Sequence, residues 1–311
     1  MSACAPPGRG SWPEKVARKG FAVNLDRDAR GPYTPLVTEN EVETPYNARL
    51  LDKRQITPLL AVFKVEPEVP AFPFVPGQYT VLGLLGGESR VHNAQPEATP
   101  PPPGKLLRRP YSIANGPREA GFFEFYVTLV VTGALAPRLF DRLPGDRLFL
   151  GRKALGTFTL ETIPPDRPLL LVATGTGLAP LVSMIRHELG QGASRTLVLL
   201  EGVRYSWSLG YREELEEWAR RCPSFRYVPS ITRVELDPDW RGPTGRMDTL
   251  LADRIIERET GLRIDPREFD ALLCGNPGMV DGVTTWLEGQ GFRTGAPGEP
   301  GCIHTEKYWA S

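Results

Sequence analysis

Metal-binding side chains are scarce in this chain. It holds three histidines (His92, His187, His304) and four cysteines (Cys4, Cys222, Cys274, Cys302) among 311 residues. No two cysteines stand at C-x-x-C spacing, which argues against a zinc site or an iron–sulfur cluster, so no metal is expected. Scattered thiols suit a reducing compartment and point to the cytoplasm. Neither charge is in excess: 37 Lys and Arg balance 37 Asp and Glu. That speaks against bulk nucleic-acid binding, while leaving room for a local basic patch that meets an acidic partner. No apolar run approaches the roughly 20 residues of a membrane helix. Met1–Gly8 has no apolar core of a secretory signal.

What the chain does have is length and a change of rhythm. It is long enough for two domains. Residues 1–42 are rich in proline, glycine and charge, have no periodicity, and read as an N-terminal extension. Over 43–165 the signals are strands and turns. Leu59–Val65, Phe74–Val81, Gly121–Val131, Arg147–Leu150 and Gly156–Leu160 are expected strands, the fourth behind a Pro144-Gly145-Asp146 turn. Many short antiparallel strands suggest a small barrel. Inside this region Gln95–Gly104 carries four successive prolines and is expected to be an exposed, extended loop. Over 166–311 strands alternate with helices. Strands are expected at Leu169–Ala173, Thr196–Leu200, Phe225–Ile231, Phe269–Cys274 and Cys302–Trp309. Helices are expected at Pro180–Gly190, Tyr211–Arg221, Met247–Arg258 and Pro277–Gln290. Such alternation implies a mostly parallel sheet with helices on both faces.

Three motifs carry chemistry. Arg109-Pro110-Tyr111-Ser112 reads as a flavin grip: a cation for the pyrophosphate, a flat ring for the isoalloxazine and a small hydroxyl near the reactive nitrogen. Thr174-Gly175-Thr176-Gly177 ends a buried strand and opens a helix. Its glycines let the backbone approach a pyrophosphate, and the helix start offers free N–H groups. Cys274-Gly275-Asn276-Pro277 again joins strand to helix and places a thiol toward the gap between domains, where we expect it to position rather than attack. Arg204, Arg233 and Arg246 follow strands or precede a helix on the sheet edge where ligands bind. Together they can clamp a 2′-phosphate, which favours NADP over NAD. Glu306 is a candidate for stabilising charge near the ring, and Tyr308 and Trp309 for stacking on the flavin.

In this order, from about Tyr46 to Trp309, the motifs resemble those of the bacterial type of ferredoxin/flavodoxin–NADP reductases. The resemblance implies an α/β plus all-β architecture: a six-stranded antiparallel FAD-binding β-barrel, then an NADP-binding α/β domain with a parallel sheet. Arg109, Pro110, Tyr111 and Ser112 match that family's flavin motif. Tyr126, Val127 and Thr128 match its next strand, and Ala134, Leu135 and Ala136 its pyrophosphate loop. Thr176, Arg204, Thr232, Arg233, Arg246, Gly275, Asn276 and Pro277 fall where the family meets NADP(H). Ser112, Cys274 and Glu306 fall at its reacting centre. The implied activity takes a hydride from NADPH and gives single electrons to ferredoxin or flavodoxin, in a monomer that binds neither nucleic acid nor membrane.

The chain departs from the pattern at several points. Ala136 stands where the family usually has Ser or Thr, and Ala310 and Ser311 extend past the aromatic end. The N-terminal extension and the proline loop are additions, read as passive insertions, with contact to a partner as the alternative. Two other readings remain open at this point. One is a flavin reductase serving another acceptor, such as an oxygenase component; the other is a non-catalytic flavin- or nucleotide-binding regulator.

Overall fold

The computed structural model describes residues 45–119, 121–192, 195–295 and 301–307. The expected extension at 1–42, and Tyr308 and Trp309, lie outside the described residues. Six antiparallel strands come first: β1 (Ala48–Thr57), β2 (Leu60–Pro67), β3 (Tyr79–Leu85), β4 (Leu106–Ser112), β5 (Phe123–Thr128) and β6 (Arg147–Leu150). Their order across the sheet is β4-β3-β6-β1-β2-β5. The two edge strands meet just past Ser112, where Ile113 bridges Phe125 and the Ala114 N–H donates to the Glu124 carbonyl at 2.8 Å. That contact joins the two edge strands at one end and curves the sheet toward a barrel, while the outer side of β4 stays unpaired along most of its length.

Strands β2 and β5 show why this region reads as apolar runs rather than clean alternation. Ala61, Phe63, Val65, Phe123, Phe125 and Val127 point into the barrel core. The alternate residues Leu60, Val62 and Tyr126 pack against the second half of the chain. Both faces are therefore largely buried, and the charged residues Lys64, Glu66 and Glu124 interrupt the apolar pattern.

The second sheet is parallel, in the order β11-β10-β7-β8-β9. It contains β7 (Leu169–Thr174), β8 (Leu197–Val203), β9 (Phe225–Ile231), β10 (Asp270–Gly275) and β11 (Ile303–Lys307). Leu169, Leu171, Leu197, Leu199 and Leu272 face α2 (Leu178–Gly190) and α3 (Arg212–Arg221). Leu170, Val172, Val198, Leu200 and Leu273 face α4 (Met247–Ala252), α5 (Ile255–Thr260) and α6 (Pro277–Gly289). Strands covered on both faces are near-continuous Leu and Val runs for this reason.

Four expectations need correction. The helix expected at Met247–Arg258 is two helices, broken where Arg254 takes a left-handed backbone (φ 58°). Leu250, Leu251, Ile255 and Ile256 all pack into one core. In an unbroken helix a five-residue offset would rotate the second pair about 140° away from the first. The strand expected at Gly156–Leu160 is irregular, bending backbone. Only Leu155 pairs, with Tyr79, before Gly156 turns the chain at φ 105°. The strand expected over Phe74–Val81 with a turn at its head does have that turn, at Gly77 (φ 101°), but it pairs only from Tyr79 and runs on to Leu85. The pyrophosphate loop expected at Ala134–Ala136 runs into a short helix, α1 (Ala136–Phe140), with a proline in its first turn. Strand β1 was not anticipated, because Arg49, Asp52, Lys53 and Arg54 mask its period.

Candidate functional site at the seam of the two sheets

A cleft of about 560 Å³ opens where β4 and β5 meet the second sheet. Arg109, Pro110, Tyr111 and Ser112 form one wall. Proline costs no ladder bond here because β4 has no partner strand on its outer side along most of its length. Tyr79 lies opposite Ser112 in the β3–β4 ladder and joins the wall. Burial raises the Tyr111 phenol above its ordinary value, with Arg109 pulling it back, so the ring stays neutral. Tyr126, Val127 and Thr128 from β5 form the floor. Ala134, Leu135 and Ala136 close the far side.

The second sheet contributes Thr176, Glu306 and Lys307 to the same cleft. Thr176 comes from the 3-10 turn between β7 and α2. That turn is pressed against the one after β10. A Cβ on Gly177 would overlap the Cys274 carbonyl, and one on Gly275 (φ 137°) would strike Thr174. The Thr174 hydroxyl accepts from the Asn276 N–H at 3.1 Å. Asn276 then caps α6, its side-chain oxygen accepting from Gly278 N–H at 2.9 Å, with Pro277 in the first turn.

Cys274 stands one step behind the cleft rather than in it. It is fully buried on β10, and Glu306 is its ladder partner on β11. The thiol donates to the Glu306 carboxylate, with Sγ and Oε2 3.8 Å apart. Burial pushes the Glu306 carboxyl up to about 7, against a lowering by that thiol. The expectation that the thiol faces the gap directly is corrected: β10 is interior to the sheet, and edge strand β11 places Glu306 at the cleft instead.

Arg204, Thr232, Arg233 and Arg246 lie outside this cleft, at the carboxyl ends of β8 and β9. The Arg233 N–H donates to the Arg204 carbonyl, the Thr232 N–H to Val203, and the Gly245 N–H to Ile231, each at 3.0 Å. Three turns are thus stitched into one rim. The Arg233 and Arg246 side chains are 58% and 69% exposed and, among the described residues, meet local carboxylates, Glu235 at 3.8 Å and Asp248 at 3.4 Å. Gly275, Asn276 and Pro277 also stand outside the cleft lining. The sequence did not single out Tyr79, Val130, Gly133 or Lys307, although Gly133 adjoins Ala134 and Lys307 adjoins Glu306.

Among known proteins, the model of the oxidoreductase NAD-binding domain matches residues 171–285. The flavodoxin/ferredoxin–NADP reductase of Escherichia coli (strain K12) is 30% identical over 253 residues, covering 80% of this chain and 93% of that protein. Ferredoxin–NADP reductase A of Sorangium cellulosum (strain So ce56) is 32% identical over 252 residues, covering 78% and 82%. The chain belongs to the ferredoxin–NADP reductase family. A solved ferredoxin NADP+ reductase from Neisseria gonorrhoeae, with bound FAD and NADP, superposes with a TM-score of 0.72 at 25% identity, over 86% of this chain and 100% of that one. In this reductase the six-stranded barrel and the five-stranded parallel sheet are the family's two units. Among the described residues no helix is long and apolar enough to cross a membrane.

Proposed function

We propose that this reductase carries FAD in the seam cleft and moves electrons between NADPH and a one-electron carrier, ferredoxin or flavodoxin. One observation supports this most: Tyr111 and Ser112 of the barrel share a single cleft with Thr176 and Glu306 of the parallel sheet. A flavin held by the first pair meets a nicotinamide brought by the second. The donor set suits FAD, with a flat ring, a hydroxyl, a guanidinium and backbone from 133–136 along one path. When bound, FAD links two-electron donation to one-electron delivery.

The residues then divide the work. Arg109 neutralises the pyrophosphate, Tyr111 packs on the ring and Ser112 presents its hydroxyl to the ring edge. Tyr126, Val127 and Thr128 support the ring from below. Thr176 and the 275–277 turn receive the nicotinamide end. Arg204, Arg233 and Arg246, with Thr232, receive the 2′-phosphate end. Cys274 is a positioning residue, because it acts through Glu306. The barrel and the nucleotide domain divide near residue 165, and we expect a cytoplasmic monomer.

The test is an anaerobic visible titration with NADPH, and NADH in parallel. Bleaching of a flavin band at much lower NADPH than NADH is the expected result. A flavin that neither coenzyme bleaches would refute the reductase, and equal bleaching by both would refute the NADP preference.

A further inference from the structure

The proline loop is latched to the cleft. Arg138, on α1, is only 3% exposed. Its guanidinium donates to both oxygens of Glu97, at 2.8 and 2.9 Å. The same group donates to the Ala134 carbonyl at 2.7 Å and to Gly86 at 2.6 Å. One buried cation thus ties the loop, the end of β3 and the cleft wall together. Further bonds reinforce the tie. The Gln95 N–H donates to Val131 at 3.0 Å, and Gly87 to Pro103 at 2.9 Å. The loop packs so closely that a Cβ on Gly86 would overlap the Pro102 carbonyl. A passive insertion has no use for a bidentate pair that takes a guanidinium out of water, which is costly to desolvate.

The latched loop makes a second groove. About 510 Å³ lies between Thr99–Pro102 on one side and Leu106–Arg109 on the other. Arg109 and Ala134 line both this groove and the seam cleft. The two spaces are therefore consecutive, with Arg109 at the junction. Along FAD, the group beyond the pyrophosphate is adenosine. Proline rings offer flat apolar faces for a purine, while Lys105 and Arg108 add positive charge beside a phosphate.

We propose that residues 95–104 wall an adenylate compartment, latched by Arg138 and Glu97, which holds the adenosine half of FAD and makes the protein select FAD over FMN. This rests on the reading that Arg109 meets the flavin pyrophosphate. FMN ends before the groove and gains nothing from the loop.

The experiment strips the flavin and measures the dissociation constants of FAD and FMN by flavin fluorescence, with 5′-AMP as competitor. Wild type is compared with a combined Pro100→Gly, Pro101→Gly, Pro102→Gly variant and with Glu97→Gln. We expect both variants to weaken FAD about tenfold, a change of roughly 1.4 kcal/mol. FMN binding should stay within about twofold, and 5′-AMP should compete with FAD in wild type only. Equal weakening of FAD and FMN, or no weakening of either, overturns the compartment. If Glu97→Gln fails to fold by circular dichroism, the proline variant, whose latch is intact, decides. Wild-type protein that binds neither flavin would instead sink the underlying FAD reading.

Discussion

Arg186, on helix α2 of the parallel-sheet unit, donates to the Glu124 carboxylate on barrel strand β5 at 2.8 Å. Glu124 is 4% exposed and also accepts from the Tyr211 hydroxyl at 2.9 Å. Arg186 continues to Glu214 through two bonds of 2.7 Å. The seam that carries the cleft is therefore held by buried charge as well as by apolar contact.

Removing the cation should be costly. Arg186→Met takes the guanidinium from a buried carboxylate that then keeps only the Tyr211 hydroxyl and, at 3.9 Å, Lys64, and we expect a loss of roughly 3 kcal/mol in urea unfolding. Burial alone would raise the Glu124 carboxyl, but Arg186 and Tyr211 hold it below its ordinary 4.5. A depressed carboxyl contributes stability that is present above the unfolded value and lost as pH falls through the folded one. Wild type should thus weaken in acid, and Glu124→Gln should weaken less over the same range. Parallel acid profiles for the two would count against this origin.

Glu201 gives the opposite sign. It is fully buried on β8, and its Oε2 accepts from the Tyr227 hydroxyl at 2.5 Å while Oε1 has no partner. Burial pushes its carboxyl up to about 7. The folded state then holds the proton more tightly, so stability falls as pH rises from the unfolded value near 4.5 to about 7. Glu201→Gln should match wild type near pH 4. It should exceed wild type at pH 8 by on the order of 2–3 kcal/mol. Thermal melts at the two pH values check this, and an equal difference at both would refute it.

Glu306 should shape the pH profile of flavin reduction. Positive charge develops on the nicotinamide as it gives up a hydride, and a carboxylate beside it favours that charge. With its carboxyl raised to about 7, Glu306 is protonated below and charged above. The stopped-flow rate with NADPH should therefore rise through pH 7, by about tenfold if the barrier falls roughly 1.4 kcal/mol. Glu306→Gln should be flat at the low-pH rate. A variant that keeps the inflection would assign it to another group.

The arginine rim predicts coenzyme choice. Arg233→Ala or Arg246→Ala should weaken NADPH by about 10–100-fold, the loss of a charged hydrogen-bond partner worth roughly 1.5–3 kcal/mol. NADH binding should barely change. Equal losses for both coenzymes, read by titration of the oxidised protein, would remove the 2′-phosphate clamp.

Much of the site was legible before the fold because its signals are local. Arg109–Ser112, Thr174–Gly177 and Cys274–Pro277 are strand ends and turns whose glycines and prolines mark them directly. The structure has strand-to-helix junctions at the last two of these, with β10 ending at Gly275 and α6 starting at Pro277; the φ of 137° at Gly275 and the Asn276 cap came only with the fold. Helix breaks and short pairings were harder. Arg254 gives no sequence signal of its left-handed backbone, and β1 hides behind charged side chains.

By itself, the sequence determined most of the order of elements, the two-part architecture and the glycine turns that end β7 and β10. Those follow from periodicity and backbone freedom, which act over a few residues. Only the tertiary structure decided the long-range pairings. Arg138 meets Glu97 across 41 residues, Arg186 meets Glu124 across 62, and Cys274 donates to Glu306 across 32. A buried charge selects its partner by where the fold delivers it, since desolvation makes any other arrangement costly. That is also why a proline loop that reads as idle from its composition is latched, through Glu97 and Arg138, beside the cleft.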